Sequence, residues 1–110
     1  MKTSELEAFL GATCMQDTYE DRQIAGVCTS DLLSDAMANA VEGGILVTIQ
    51  AHKNTVAVGT LKDLVAIVIC SNRPVPDDMI EAAREEKIAI FLTTENQYTV
   101  SGKLYKQLNP

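Results

Sequence analysis

Apolar residues fall along the chain in short blocks that alternate between two periods. Ile24-Ala25-Gly26-Val27-Cys28, Ile45-Leu46-Val47-Thr48-Ile49, Val65-Ala66-Ile67-Val68-Ile69-Cys70 and Ile88-Ala89-Ile90-Phe91-Leu92 are runs of five or six residues. Runs of that length without polar alternation predict strands buried on both faces, as in a parallel sheet covered by helices. Between them, Leu32, Leu33, Ala36, Met37, Ala40 and Val41 recur in pairs four apart, which predicts a helix with one wide apolar stripe. Thr29 or Ser30 is placed to cap its start, and Gly43-Gly44 to end it. A second helix is expected after Pro76, with Asp77 and Asp78 at the positive end of its dipole and Lys87 at the other. A third is expected over residues 97–108 with Val100, Leu104, Tyr105 and Leu108 inward.

Two stretches are less regular. Ser4-Glu5-Leu6-Glu7 has the form of a capping box, so a short helix carrying Leu6, Phe9 and Leu10 is expected, stopped by Gly11. A brief strand over residues 12–15 and a polar loop over 16–23 follow. Residues 54–64 fit two readings. Thr55-Val56-Ala57-Val58 could pair with the preceding strand as a hairpin, whereas Val56, Thr60 and Leu64 fit a helix capped by Asn54. The alternation of the neighbouring units favours the helix. The expected fold class is therefore α/β: three layers, α/β/α, around a mainly parallel sheet of four to five short strands, with residues 1–110 as one domain.

Composition narrows the function classes. Hydrophobic residues are 46%, charged residues 22%, and there are only six Gly and three Pro, which is globular and not disordered composition. Nine Lys+Arg against fifteen Asp+Glu leave a net charge of −6, which disfavours general binding to phosphate backbones. No apolar run approaches the ~18 residues of a membrane helix. The opening Met1-Lys2-Thr3-Ser4-Glu5 lacks a signal-peptide layout, so a cytoplasmic location is expected. Three cysteines, Cys14, Cys28 and Cys70, fit neither a disulfide framework nor a zinc module.

In a parallel sheet, ligands bind beyond the carboxyl ends of the strands. Four loops would leave those ends, and they carry Thr29, Ser30, His52, Lys53, Ser71, Asn72, Arg73 and Thr94. Hydroxyls, an amide and three basic side chains suit a small anion or a nucleotide phosphate. The competing reading makes Thr29, Asn54 and Thr94 helix caps and leaves Lys53 and Arg73 in solvent. Cys28 and Cys70 would end strands on the same rim near His52, the arrangement a thiol nucleophile with an imidazole base would need. No Walker loop, GxGxxG, GxSxG or HExxH is present, and neither a catalytic set, a metal site nor a cofactor is assigned.

Gly43-Gly44-Ile45-Leu46-Val47-Thr48, Asp63-Leu64 with the strand that follows, Pro76 with its helix, and Ile88 to Thr94 followed by Tyr98-Thr99-Val100 together resemble the DRTGG domain family over about residues 24–108. The N-terminal domain of HPr kinase/phosphorylase has a similar ending. The signature loops depart from the family: His52-Lys53 stand where Asp-Arg would fall, and Cys70-Ser71-Asn72 where Thr-Gly-Gly would follow. The resemblance implies a small α/β accessory module without catalysis of its own, of a kind found beside CBS domains in pyrophosphatases and in phosphate acetyltransferases, and often paired as a dimer. The kinase activity of HPr kinase resides in a separate P-loop domain that this sequence does not contain. The expected function is a non-catalytic regulatory or protein-interaction module that forms a homodimer. The alternative is a small-ligand sensor at the four-loop rim, and after it a Cys/His enzyme.

Overall fold

The computed structural model describes all 110 residues. A 3-10 turn, Thr3–Glu5, leads into α1 (Leu6–Leu10) and β1 (Thr13–Gln16). Four parallel strands then alternate with helices: β2 (Val27–Thr29), α2 (Leu33–Asn39), β3 (Ile45–Thr48), α3 (Lys53–Leu61), β4 (Ala66–Ile69), α4 (Asp77–Glu86), β5 (Ala89–Leu92) and α5 (Gln97–Leu108). The sheet order is β1-β5-β4-β3-β2, with β2 to β5 parallel and β1 antiparallel on β5. The fold is α/β, and the sheet is mainly parallel with one antiparallel strand at its edge.

Apolar continuity in the strands follows from cover on both faces. Ile67, Ile69 and Ile90 pack under Val56 of α3 and Met79 and Ala83 of α4, while Leu46 lies under Ala36 of α2. On the opposite face Ile45, Val47, Ala66, Val68, Ala89 and Phe91 meet Leu6 and Leu10 of α1 and Val100 and Leu104 of α5. Every residue of β3 and β4 is buried, as strands at the centre of three layers require.

Several local expectations are corrected. Ser4 and Glu7 do not cap each other. The backbone N–H and hydroxyl of Ser4 both donate to the Asp21 carboxylate, at 2.9 and 2.7 Å, and Glu7 accepts from the Cys14 backbone N–H at 2.8 Å. Long-range partners won over the local box, although Gly11 does take the left-handed conformation at φ 62°. The ambiguous stretch is helical over Lys53–Leu61, but the cap is His52, whose Nδ1 accepts from the Asn54 N–H at 3.0 Å. Neither Asn54 nor Thr94 serves as a cap; α5 is capped by Asn96, which accepts from the Thr99 N–H at 2.9 Å.

The largest departures surround β2. The run from Ile24 contributes only its end to the sheet, because the Ile24 and Ala25 N–H groups donate to Met1 and Gly43 carbonyls instead. Helix α2 starts at Leu33, has no side-chain cap and ends at Asn39, so neither Thr29 nor Ser30 caps it and Gly43-Gly44 forms a turn beyond it. Its apolar stripe is only half used: Ala36 is buried, whereas Leu32, Met37 and Val41 are 65%, 37% and 47% exposed. Tyr105, expected inward, is 72% exposed. All lie at the rim of the sheet, where a helix over the edge strand has core beneath one side only.

Candidate functional site

The parallel strands bring the four candidate loops to one end of the sheet, and Asp31 ties the first of them to the end of β3 and the start of α5. Its Oδ1 accepts from Thr48 Oγ1 at 3.0 Å, the Ile49 N–H at 2.9 Å and Gln97 Nε2 at 2.8 Å. One carboxylate oxygen thus joins the loop after β2, the end of β3 and the start of α5. The loops after β4 and β5 are clipped to each other: Ser71 N–H donates to the Glu95 carbonyl at 2.8 Å and Asn72 N–H to that of Thr93 at 2.9 Å. Ser71 and Asn72 occupy consecutive left-handed conformations, φ 58° and 51°, which few side chains adopt without cost. Glu95 accepts both Lys103 hydrogen bonds, at 2.9 and 3.0 Å.

The structure distributes the candidate residues unevenly. Ser71, Asn72, Arg73 and Thr94 share the clipped double loop, all exposed, and none of their side chains makes a hydrogen bond or ion pair within the chain. His52, on the adjacent loop, is exposed but uses Nδ1 as a cap. Ser30 folds back on its own loop, accepting from the Leu32 N–H at 3.2 Å. Thr29 is set apart at the sheet edge, where its Oγ1 meets Ser101 Oγ at 2.7 Å. Lys53 is also set apart and lines a groove between α3 and α4 with Glu85 and Glu86.

The strand order explains the shape of this rim. From β2 to β5 the sequence of strands runs in one direction, so α2, α3 and α4 cover the same face. A crevice opens where strand order reverses, and the four parallel strands have no reversal. Four cavities lie elsewhere. One of about 250 Å³ sits at the amino end of the sheet beside Arg22 and Asp63, one of about 450 Å³ runs between β2 and α5, one of about 780 Å³ opens beside Phe9 and Lys106, and one of about 260 Å³ separates α3 from α4. None is lined by His52, Arg73 or Thr94.

Cys28 and Cys70 do not meet near His52. Cys28 packs beneath α2, while Cys70 is buried on the opposite face among Val68 and Phe91, so the sheet separates them. Burial raises both thiols, with Asp35 adding to the effect at Cys28; Cys70 is pushed up to about 11. Cys14 is raised by burial and then by Glu7. Each environment favours the neutral thiol over the reactive thiolate.

Sequence reasoning missed two things here. Asp31 was legible as an acidic residue between a strand and a helix, but its three partners are 17, 18 and 66 residues away. The uncharged stretch over residues 23–30 was also visible, but not that it would form an open sheet edge.

No family model matches the chain, and no curated protein matches it. Among solved structures, the CBS and DRTGG domains of the regulatory region of Clostridium perfringens pyrophosphatase, complexed with the activator diadenosine tetraphosphate, share the fold with a TM-score of 0.73. Identity is 13%, over 93% of this chain and 45% of that one. The chain therefore spans less than half of that structure, and the likeness is one of fold.

Proposed function

We propose that the chain is a non-catalytic regulatory or protein-interaction module that works as a homodimer. The observation that carries this reading is where the exposed large apolar side chains lie. Val27, Leu32, Met37, Val41 and Tyr105 belong to β2 and the segments that flank it, and only Leu61 and Tyr98 lie elsewhere. Scattered apolar side chains need no explanation, but a concentrated set marks an association surface. The three thiols, held neutral and apart, offer no nucleophile to compete with that reading. Light scattering on the full chain should give a mass near twice 11.9 kDa at micromolar concentration. A mass of 11.9 kDa throughout would overturn the dimer.

A second reading is favoured by one cluster. Arg73 stands exposed and unpaired beside Ser71, Asn72 and Thr94, next to His52, in a chain otherwise rich in acid. Such a group suits the phosphate of a small nucleotide, and the regulatory region sharing this fold was solved with diadenosine tetraphosphate. A thermal-shift series with mono- and dinucleoside polyphosphates tests it. A ligand at 100 times its dissociation constant adds about 2.7 kcal/mol, and the shift should vanish in Arg73→Ala. No shift with any compound would remove this reading.

A further inference from the structure

We infer that two copies of the chain pair antiparallel through the free edge of β2, centred on Cys28, to make one continuous ten-stranded sheet. The inference rests on the homodimer reading and specifies its surface.

The hydrogen bonds define the edge. Ile45 N–H donates to the Gly26 carbonyl and Ser30 N–H to that of Val47, so residues 26, 28 and 30 turn their backbone groups towards β3. In the alternating ladder Val27 and Thr29 then face outward. Neither backbone N–H nor carbonyl of these two residues is bonded outside the ladder.

That edge is short, three residues, but it carries no charge, proline or bulge. Natural edges are blunted by shortness, by charge, by proline or by a bulge. β1, at the other edge, has a register break between Cys14 and Gln16. Residues 23–30 contain no charged residue and no proline, and β2 has no bulge. Two copies of a chain with charge −6 can approach there without opposing charges on the strands themselves. Asp35, on α2, is the acidic side chain whose charge acts on Cys28, and it accepts from Asn39 at 2.7 Å.

Both flanks are apolar. On the α2 side Val41 lies against Gly26, and Met37 stands one turn before it. On the α5 side a groove of about 450 Å³ is lined entirely by uncharged residues, among them Ile24, Val27, Leu104, Tyr105 and Leu108. A stable interface takes about 800 Å² from each partner. Three strand residues alone fall short of that, so the apolar side chains in the layers above and below the strand must belong to the contact.

The geometry favours a second copy over an unrelated strand because the edge is complementary to itself. With only two outward residues, a two-fold axis through Cys28 sets Val27 opposite the partner's Thr29 and satisfies all four groups on each copy. The two Cys28 residues then form a non-hydrogen-bonded pair, with Cα atoms about 4.5 Å apart. That separation lies within the range of a disulfide.

The test uses the full chain carrying Cys14→Ser, with Cys70 inaccessible in the core. Diamide takes up the two thiol hydrogens as the sulfurs join, so a covalent dimer is expected, linked through Cys28 by peptide mass spectrometry and absent in Cys28→Ser. Val27→Pro removes an outward donor and leaves the bonds to β3, and Val27→Lys adds a charge to each edge. Either should weaken the dimer at least tenfold while circular dichroism stays native; if the proline variant does not fold, the lysine variant decides. A dimer that keeps its affinity in Val27→Lys, or forms no Cys28 link, overturns the edge pairing and leaves the homodimer reading standing. A strict monomer overturns both.

Discussion

Cys70 shows what a single buried group does to the whole stability curve. It closes β4 with no solvent exposure, and burial first, then Asp31 and Glu95, push its thiol up from 9.0 to about 11. The unfolded thiol ionises at the lower value, so the stabilisation from keeping it neutral is full below pH 9 and is lost as pH rises to about 11. At 1.36 kcal/mol per unit the loss is about 2–3 kcal/mol. Urea unfolding followed from pH about 8 to about 11 should show wild type losing that much more than Cys70→Ala; parallel curves would refute the assignment. At the same scale, the rim residues were legible as types but not in their duties. His52 is a cap because its own backbone is extended where α3 begins, and Asp31 is a junction because three distant donors converge on it. Those are facts of position, which residue type alone does not encode.

Elements were read best where they are buried on both sides. β3, β4 and β5 agree with the expected runs, because continuous apolar sequence and two covered faces are the same constraint. Helix α3 was ambiguous since Val56 and Val58 favour strands locally, and packing against β4 and α4 decided it. Two glycines separate element propensity from close approach. Gly102, in α5, has nothing within 4 Å of where a Cβ would stand, so Gly102→Ala should stabilise by about 0.8–1 kcal/mol. Gly44, just before β3, would place a Cβ 2.9 Å from the carbonyl oxygens of both Gly26 and Val41, which cannot move without shifting backbone. Gly44→Ala should cost about 1–3 kcal/mol. Chemical denaturation of the two variants checks the pair, and equal effects would contradict the account.

For the whole molecule, the uneven edges matter more than the core. β1 ends the sheet with a bulge and with Gln16, whose buried amide donates to the Thr18 and Ile88 carbonyls at 3.0 and 2.9 Å. β2 ends it with open backbone and apolar flanks. If folding and pairing are coupled there, melting becomes concentration-dependent. The midpoint should rise by several degrees over a roughly hundredfold range of wild-type protein concentration, and should stay flat in Val27→Lys. A concentration-independent wild-type midpoint would argue against coupled association.

The sequence by itself determined the layers: periods of apolar residues state which segments are buried on two faces and which on one, and burial is what selects strand or helix in an α/β chain. It also determined that any basic group on an acidic chain would be local. Only the tertiary structure decided which strand became the open edge, that Cys28 and Cys70 face opposite layers, and that Asp31 joins the loop after β2 to β3 and α5. Each depends on strand order and on partners far apart in the chain, and chain-wide distance is what local patterning cannot carry.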